Sequence, residues 1–177
     1  GAGVGWLAEE FQALGVPFER RGARTREYIE IMRKLWTEKT SSHAGEFASF
    51  TGVTSYPKPA GDRAIPVWFG GESNAALRRV AAYGDGWLGF KVSPADAAGK
   101  IREIERLLAA NGRKRSDVTL AVSPYSDPIA PDDLQRYRDA GADEVALLLR
   151  GRPSNEAEVI AGIERLARDF VEPAAKL

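Results

Sequence analysis

Cysteine is absent from the chain, which removes a disulfide framework, a thiolate nucleophile and any Cys-ligated metal site. Neither sign of charge is in excess, since 25 Lys and Arg balance 25 Asp and Glu. No basic footprint of the kind that nucleic acid or an anionic membrane demands is therefore present. Long hydrophobic runs are also missing. Stretches such as Ile65–Phe69 and Val145–Leu149 fall far short of the roughly 20 residues that span a bilayer, and the opening GAGVGW lacks the charged and apolar regions of a signal peptide. These absences predict a soluble cytoplasmic protein whose partners are small molecules or protein, with no nucleic acid and no membrane. Histidine occurs once, at His43, with no carboxylate at ligand or triad spacing, and reads as a solvated loop residue. No Glu-x-x-His, paired-carboxylate or nucleophile-elbow pattern appears, so neither a metal centre nor acyl transfer is expected.

The chain does carry a regular alternation. Tyr28, Ile31, Met32 and Leu35 recur at helical spacing within Arg24–Trp36. Ser93-Pro94 reads as a cap and first-turn proline for a helix through Ile101, Ile104 and Leu108, stopped at Asn111-Gly112. Asn74–Tyr83, a segment from Pro131 to Gly141, and a longer one capped by Ser154 complete five helices. Between them lie short runs apolar on both faces, at Ala2–Trp6, Pro66–Phe69, Gly86–Phe90, Val118–Ser123 and Glu144–Leu149, as buried parallel strands should be. Five β-α units in series predict an α/β fold on a parallel sheet. One stretch, Thr40–Pro59, interrupts the alternation and reads as a β-hairpin excursion after the first helix.

The most informative junction is Pro66–Trp87, PVWFGGESNAALRRVAAYGDGW. A strand-to-helix turn aims the free N–H groups of the helix past the carboxyl end of the sheet, where the dipole favours an anion. Gly70 and Gly71 permit close backbone approach or positive φ, and Ser73 can cap the helix or offer its hydroxyl to a phosphate. Glu72 would repel a phosphate unless it turned away to a backbone amide. The same four residues also make an economical turn with a good cap, so both roles stay open here.

Taken together, GVGWLAEEFQALGVPFERRGARTREYIEIMRKLW, the GEFASF hairpin, YPKP, IPVWFGGESNAALRRVAAYGDGW and DAGADEVALLL resemble the bacterial luciferase-like monooxygenase superfamily, in particular its coenzyme F420-dependent oxidoreductases. The resemblance covers essentially the whole chain. It implies a TIM barrel that binds FMN or F420 at the carboxyl ends of its strands, and an oxidoreductase or monooxygenase acting on a small organic substrate. It also implies that Gly70, Gly71, Glu72 and Ser73 hold the cofactor phosphate, that Gly5 and Trp6 lie beside the ring, and that Arg26 or Arg24 makes a second phosphate contact. Arg20, Arg21, Arg24 and Arg26 crowd a helix N-terminus, the unfavourable end for cations, which slightly hints at an anion partner, with a solvated face as the alternative. Arg78 and Arg79 are candidates for the acidic tail of F420, with a solvent-facing role as the alternative. Trp87, Phe90, Lys91, Ser123, Tyr125 and Arg150 end strands and are candidate pocket residues, with core or loop packing as the alternative.

A complete (β/α)₈ barrel runs to about 250 residues. Matched to the superfamily, this chain begins within the fourth strand, so the expectation is a partial barrel, in a single domain over 1–177, lacking the first three β-α units. An open doubly wound sheet is the alternative. Unprotected sheet edges predict a homodimer. The acid/base residues of the relatives belong to the absent strands, so no catalytic residue is assigned, and little turnover is expected of the chain by itself. The rival function is a non-catalytic half-barrel that binds or dimerises.

Overall fold

A computed structural model describes residues 1–62, 64–125, 127–149 and 151–176. The chain divides into two compact units, Ala2–Pro66 and Val67–Leu177, referred to below as the N-terminal and C-terminal units.

The N-terminal unit holds α1 (Ala8–Ala13), α2 (Arg21–Thr37) and a hairpin of β1 (Ser41–Ala44) and β2 (Ser49–Val53), paired antiparallel with His43 opposite Phe50. The hairpin lies where the sequence places it. α2 ends where Lys58 Nζ donates to the carbonyls of Leu35 and Glu38, both at 2.6 Å, supplying the positive charge that a helix C-terminus favours. Its most buried residues are Ile29 and Ile31, whereas Tyr28, expected on the buried stripe, is 43% exposed. The expected strand Ala2–Trp6 is reduced to an isolated bridge at Ala2. Gly5 takes φ +76°, outside extended geometry, and a strand exists only through a ladder of partners.

The C-terminal unit is built on four parallel strands, β3 (Trp68–Gly70), β4 (Gly86–Phe90), β5 (Thr119–Ser123) and β6 (Glu144–Val145), in unbroken sequence order. Sequential order is what a (β/α)₈ barrel requires; a doubly wound sheet reverses direction at a switch point. The architecture is therefore a partial barrel, with no closed ring of strands among the described residues. Helices α3 (Asn74–Tyr83), α4 (Pro94–Ala110), α5 (Pro131–Asp139) and α6 (Glu156–Leu166) follow the strands in turn. The α3 bounds match the sequence reading because Ser73 caps one end and Gly84 stands at the other.

The core lies between one face of the sheet and the helices. Phe69, Trp87, Leu120 and Val122 are fully buried, as are Leu77 and Val80 of α3 and Ile101, Ile104 and Leu108 of α4. At the amino ends of the strands, Asp85 Oδ2 accepts the amide of Val67 and Asp143 Oδ2 that of Leu120. One carboxylate thus pins each preceding strand.

Two sequence expectations need correction here. The last strand stops at Val145 rather than running to Leu149, because β5 is followed by Pro124, which has no N–H. Beyond that point the Ser123 hydroxyl donates to the Ala146 carbonyl at 3.0 Å in place of a ladder bond. The cap of α6 is Asn155, not Ser154: Asn155 Oδ1 accepts the amide of Glu158, while the Glu158 carboxylate accepts from the Ser154 amide and hydroxyl.

Candidate functional site

The β3-to-α3 turn sits at the carboxyl end of the parallel sheet, and its geometry follows from four residues. Gly71 has φ +102°, a region L side chains avoid, and a Cβ there would stand 3.3 Å from Cβ of Ala76. Its carbonyl accepts the indole Nε1–H of the fully buried Trp87 at 3.0 Å. The turn is thereby fastened to the core.

Ser73 caps α3. Its Oγ accepts the amide of Ala76 at 3.2 Å and its carbonyl accepts the amide of Leu77 at 3.0 Å. The hydroxyl proton of Ser73 is left to donate elsewhere. The amides of Asn74 and Ala75 precede the first intrahelical bonds and have no acceptor among the described residues. Ser73, Asn74 and Ala75 are all exposed, so two N–H groups and one O–H face solvent at the positive end of a ten-residue helix.

Glu72, the residue that would oppose an anion, is turned aside: Oε1 accepts the amide of Phe90, the last residue of β4, at 2.8 Å. Capping alone requires neither this deflection nor the positive φ at Gly71. Both bare the amides.

The neighbouring strand ends carry a second feature. Lys91 and Tyr125 have φ of 54° and 56°, left-handed values that cost a non-glycine residue about 1–3 kcal/mol and gather at functional sites. They follow β4 and β5, and the strain is held by bonds from the Lys91 amide to the Ser123 carbonyl at 2.7 Å and from the Tyr125 amide to Ser123 Oγ at 3.1 Å. The result is a tilted pair of rings, Phe90 and Tyr125, with centroids 4.6 Å apart and each about half exposed. Asp127 Oδ1 stands 4.0 Å from Lys91 Nζ.

The structure therefore brings Gly70, Gly71, Glu72 and Ser73 together, with Phe90 beside them. Of the two readings open for Trp87, pocket or core, the structure has core, and its contribution is the hydrogen bond that holds Gly71. A buried indole needs an acceptor, which is the signal that could have assigned it. Ser123 is likewise buried and acts as a clamp. Arg78 is exposed on α3, and the Arg79 guanidinium lies 5.8 Å from the Phe69 ring centroid. Arg150 lies outside the described residues.

Gly5, Trp6 and Arg26 belong to the N-terminal unit. The Gly5 carbonyl accepts from Arg21 Nε at 3.1 Å, Trp6 is 81% exposed, and Arg26 pairs with Glu30 one turn along α2 at 3.1 Å. The other arginines of the cluster also have partners. Arg20 pairs through both guanidinium nitrogens with Glu46, Arg21 lies over the Phe18 ring, and Arg24 donates to the Pro17 carbonyl at 2.7 Å.

His43 is not solvated, which corrects the sequence expectation. Its Nε2 lies 3.2 Å from Glu27 Oε1, and the two side chains are 9% and 13% exposed. Glu27 also accepts the amides of Glu46, Phe47 and Ala48 at the hairpin tip. Burial pushes the Glu27 carboxyl up, but these bonds together with His43 outweigh it and hold the group below its ordinary value. The partner was invisible in sequence because it lies on the preceding helix.

Comparison with known proteins bears on both units. The family model for luciferase-like monooxygenases matches residues 1–169. An uncharacterised protein of Mycobacterium tuberculosis (strain ATCC 25618 / H37Rv) is 35% identical over 171 residues, 94% of this chain and 57% of its own length. A 5,10-methylenetetrahydromethanopterin reductase of Archaeoglobus fulgidus is 28% identical over 148 residues, covering 84% of this chain and 43% of the relative. The chain thus spans about half the length of these curated relatives. Among solved structures, an F420-dependent secondary alcohol dehydrogenase in complex with an F420-acetone adduct superimposes with a TM-score of 0.75 at 18% identity, over 97% of this chain and 68% of that one.

Proposed function

The chain belongs to the luciferase-like monooxygenase family, and from that premise we propose that its β3–α3 turn holds the phosphate of coenzyme F420 or FMN in an oxidoreductase that acts on a small organic substrate. The observation that carries this is the exposed set of the Asn74 and Ala75 amides with the Ser73 hydroxyl, cleared of negative charge by the bond from Phe90 to Glu72. The donor set fits a phosphate: N–H and O–H groups at a helix N-terminus, with no cationic side chain needed.

When bound, such a cofactor supplies a hydride donor or acceptor, or in its reduced flavin form a means of activating oxygen. The chain's own residues bind and orient. Ser73, Asn74 and Ala75 donate, Gly71 keeps the approach open, and Trp87 fixes the turn from below. The F420-dependent dehydrogenase and the methanopterin reductase support the deazaflavin, and the family's monooxygenase description supports FMN. Because the relatives are longer than this chain, turnover itself is part of the proposal.

Gly5 and Trp6 as ring-side residues and Arg26 as a phosphate contact are separate proposals, each testable by its own substitution. A cytoplasmic homodimer belongs to the same reading. Its support is the apolar surface at Ile160, Ile163 and Val171, which are 48–61% exposed.

The test is a titration of F420, FMN and riboflavin, followed by the ligand's fluorescence. Saturable binding of F420 or FMN, with riboflavin at least ten times weaker for want of a phosphate, is expected. Equal affinity for FMN and riboflavin would remove the phosphate seat.

A further inference from the structure

We propose that an apolar slot behind Tyr125 is the substrate pocket of the C-terminal unit, and that it admits a hydrocarbon group of about the size of benzene. The proposal rests on the cofactor reading above for the word substrate, but the slot stands on its own geometry. It has a volume of about 150 Å³ and is walled by Tyr125, Ile129, Leu147, Leu148, Leu166 and Phe170. Its walls are apolar but for Asp127, so water inside finds few polar partners and a hydrocarbon group displaces it favourably.

Its position is set by topology. The strands are parallel, so the segments that follow β5 and β6 leave the sheet at the same end as the Gly70–Ser73 turn. Tyr125 is common to the slot and to the half-exposed ring pair with Phe90, and its left-handed backbone is an independent mark of a position held against local preference. Ser123, bonded to both the Tyr125 amide and the Ala146 carbonyl, keeps the slot's two flanking segments in fixed register.

One charged residue, Asp127, joins the lining, and it is half exposed beside Lys91. The two charges cancel at the mouth. The chemistry that fits is a neutral molecule with an aromatic ring or short branched alkyl group inside and a single polar group outside, where Asp127 and Lys91 can accept or donate. A strongly charged substrate fits neither part.

The probe is fluorobenzene, titrated into the whole chain without cofactor and followed by the methyl NMR signals of Ile129, Leu148 and Leu166. Saturable shifts at all three are expected. Leu148 is 46% exposed, so Leu148→Trp should fold while filling the slot and weakening binding at least tenfold, and Leu148→Ala should admit naphthalene more tightly than the unmodified chain does. Absence of saturable shifts, or the same affinity in Leu148→Trp, would overturn the slot. With F420 or FMN added, a nuclear Overhauser effect between fluorobenzene and the cofactor ring is expected; a filled slot without it overturns the substrate role. Failure of the cofactor to bind at all also removes that role but leaves the cofactor-free titration unchanged, so the two failures are distinguishable.

Discussion

The carboxylate of Glu72 accepts the amide of Phe90 at 2.8 Å, tying the one acidic side chain of the turn to the end of the neighbouring strand. The consequence is electrostatic. A charge that would otherwise stand over the first amides of α3 is turned toward a backbone donor, which lessens its opposition to an anion at the helix terminus. Glu72→Gln can still accept through its amide oxygen, so it should bind FMN or F420 as well as the unmodified chain or up to a few-fold better. Glu72→Pro, which loses the acceptor, should loosen the turn, visible as faster hydrogen exchange at the Phe90 amide.

Trp87 serves the same turn from inside the core. In Trp87→Phe the Gly71 carbonyl loses its indole donor while most of the apolar volume is kept, so the cost should be about 1–2 kcal/mol by urea unfolding. Trp87→Ala adds a cavity and should cost about 3–5 kcal/mol. In the Phe variant, cofactor affinity should fall more than stability does, since the turn is what the bond holds.

The turn itself was legible in sequence, because a glycine pair, a cap residue and a helical stripe are local signals. The bounds of α3 were legible for the same reason. What was not legible depends on contacts between distant segments. Trp87 reads as a strand-end aromatic until the parallel register places its indole beneath Gly71. The sequence does not pair His43 with Glu27, sixteen residues earlier on the preceding helix, yet the two meet at 3.2 Å. The apolar run Ala2–Trp6 has the composition of a strand, and composition cannot supply a ladder. Ser154 and Asn155 are both good caps, and local preference does not choose between adjacent candidates.

Acid should open the hairpin of the N-terminal unit. The Glu27 carboxyl is held below its ordinary value of 4.5 by the bonds it accepts, after burial has pushed the other way. A depressed carboxyl pKa contributes stability that is complete above the unfolded value and is lost as pH falls through the folded one. Protection of the Phe47 and Ala48 amides, measured against the intrinsic exchange rate at each pH, should therefore be complete near neutrality and be lost selectively as pH falls below about 4.5. Glu27→Gln should flatten that dependence.

Tyr137 gives the opposite sign at alkaline pH. Its hydroxyl donates to the Val92 carbonyl at 2.6 Å, and the residue is 1% exposed. Burial, aided by Asp133, Asp127 and Asp96, raises the phenol above its ordinary 10.0, so the folded chain keeps the proton that the unfolded chain releases. Stability should fall as pH rises above 10.0, and Tyr137→Phe should remove that fall. The same substitution leaves the Val92 carbonyl without its donor and should cost about 1–3 kcal/mol at neutral pH.

Sedimentation velocity tests the homodimer. Ile160, Ile163 and Val171 expose apolar surface, and a dimer that covers it should dissociate on dilution and be lost in Ile160→Lys with Ile163→Lys. A monomer at all concentrations would remove the dimer from the proposed function.

Ser73→Asp separates the cap from the phosphate seat most directly. Aspartate caps a helix about as well as serine and suits its N-terminus electrostatically, so thermal unfolding should be unchanged or slightly raised. The added carboxylate would stand where the phosphate binds, and affinity for FMN and F420 should drop at least tenfold. Undiminished cofactor affinity in a stably folded Ser73→Asp chain would contradict a phosphate site at this turn.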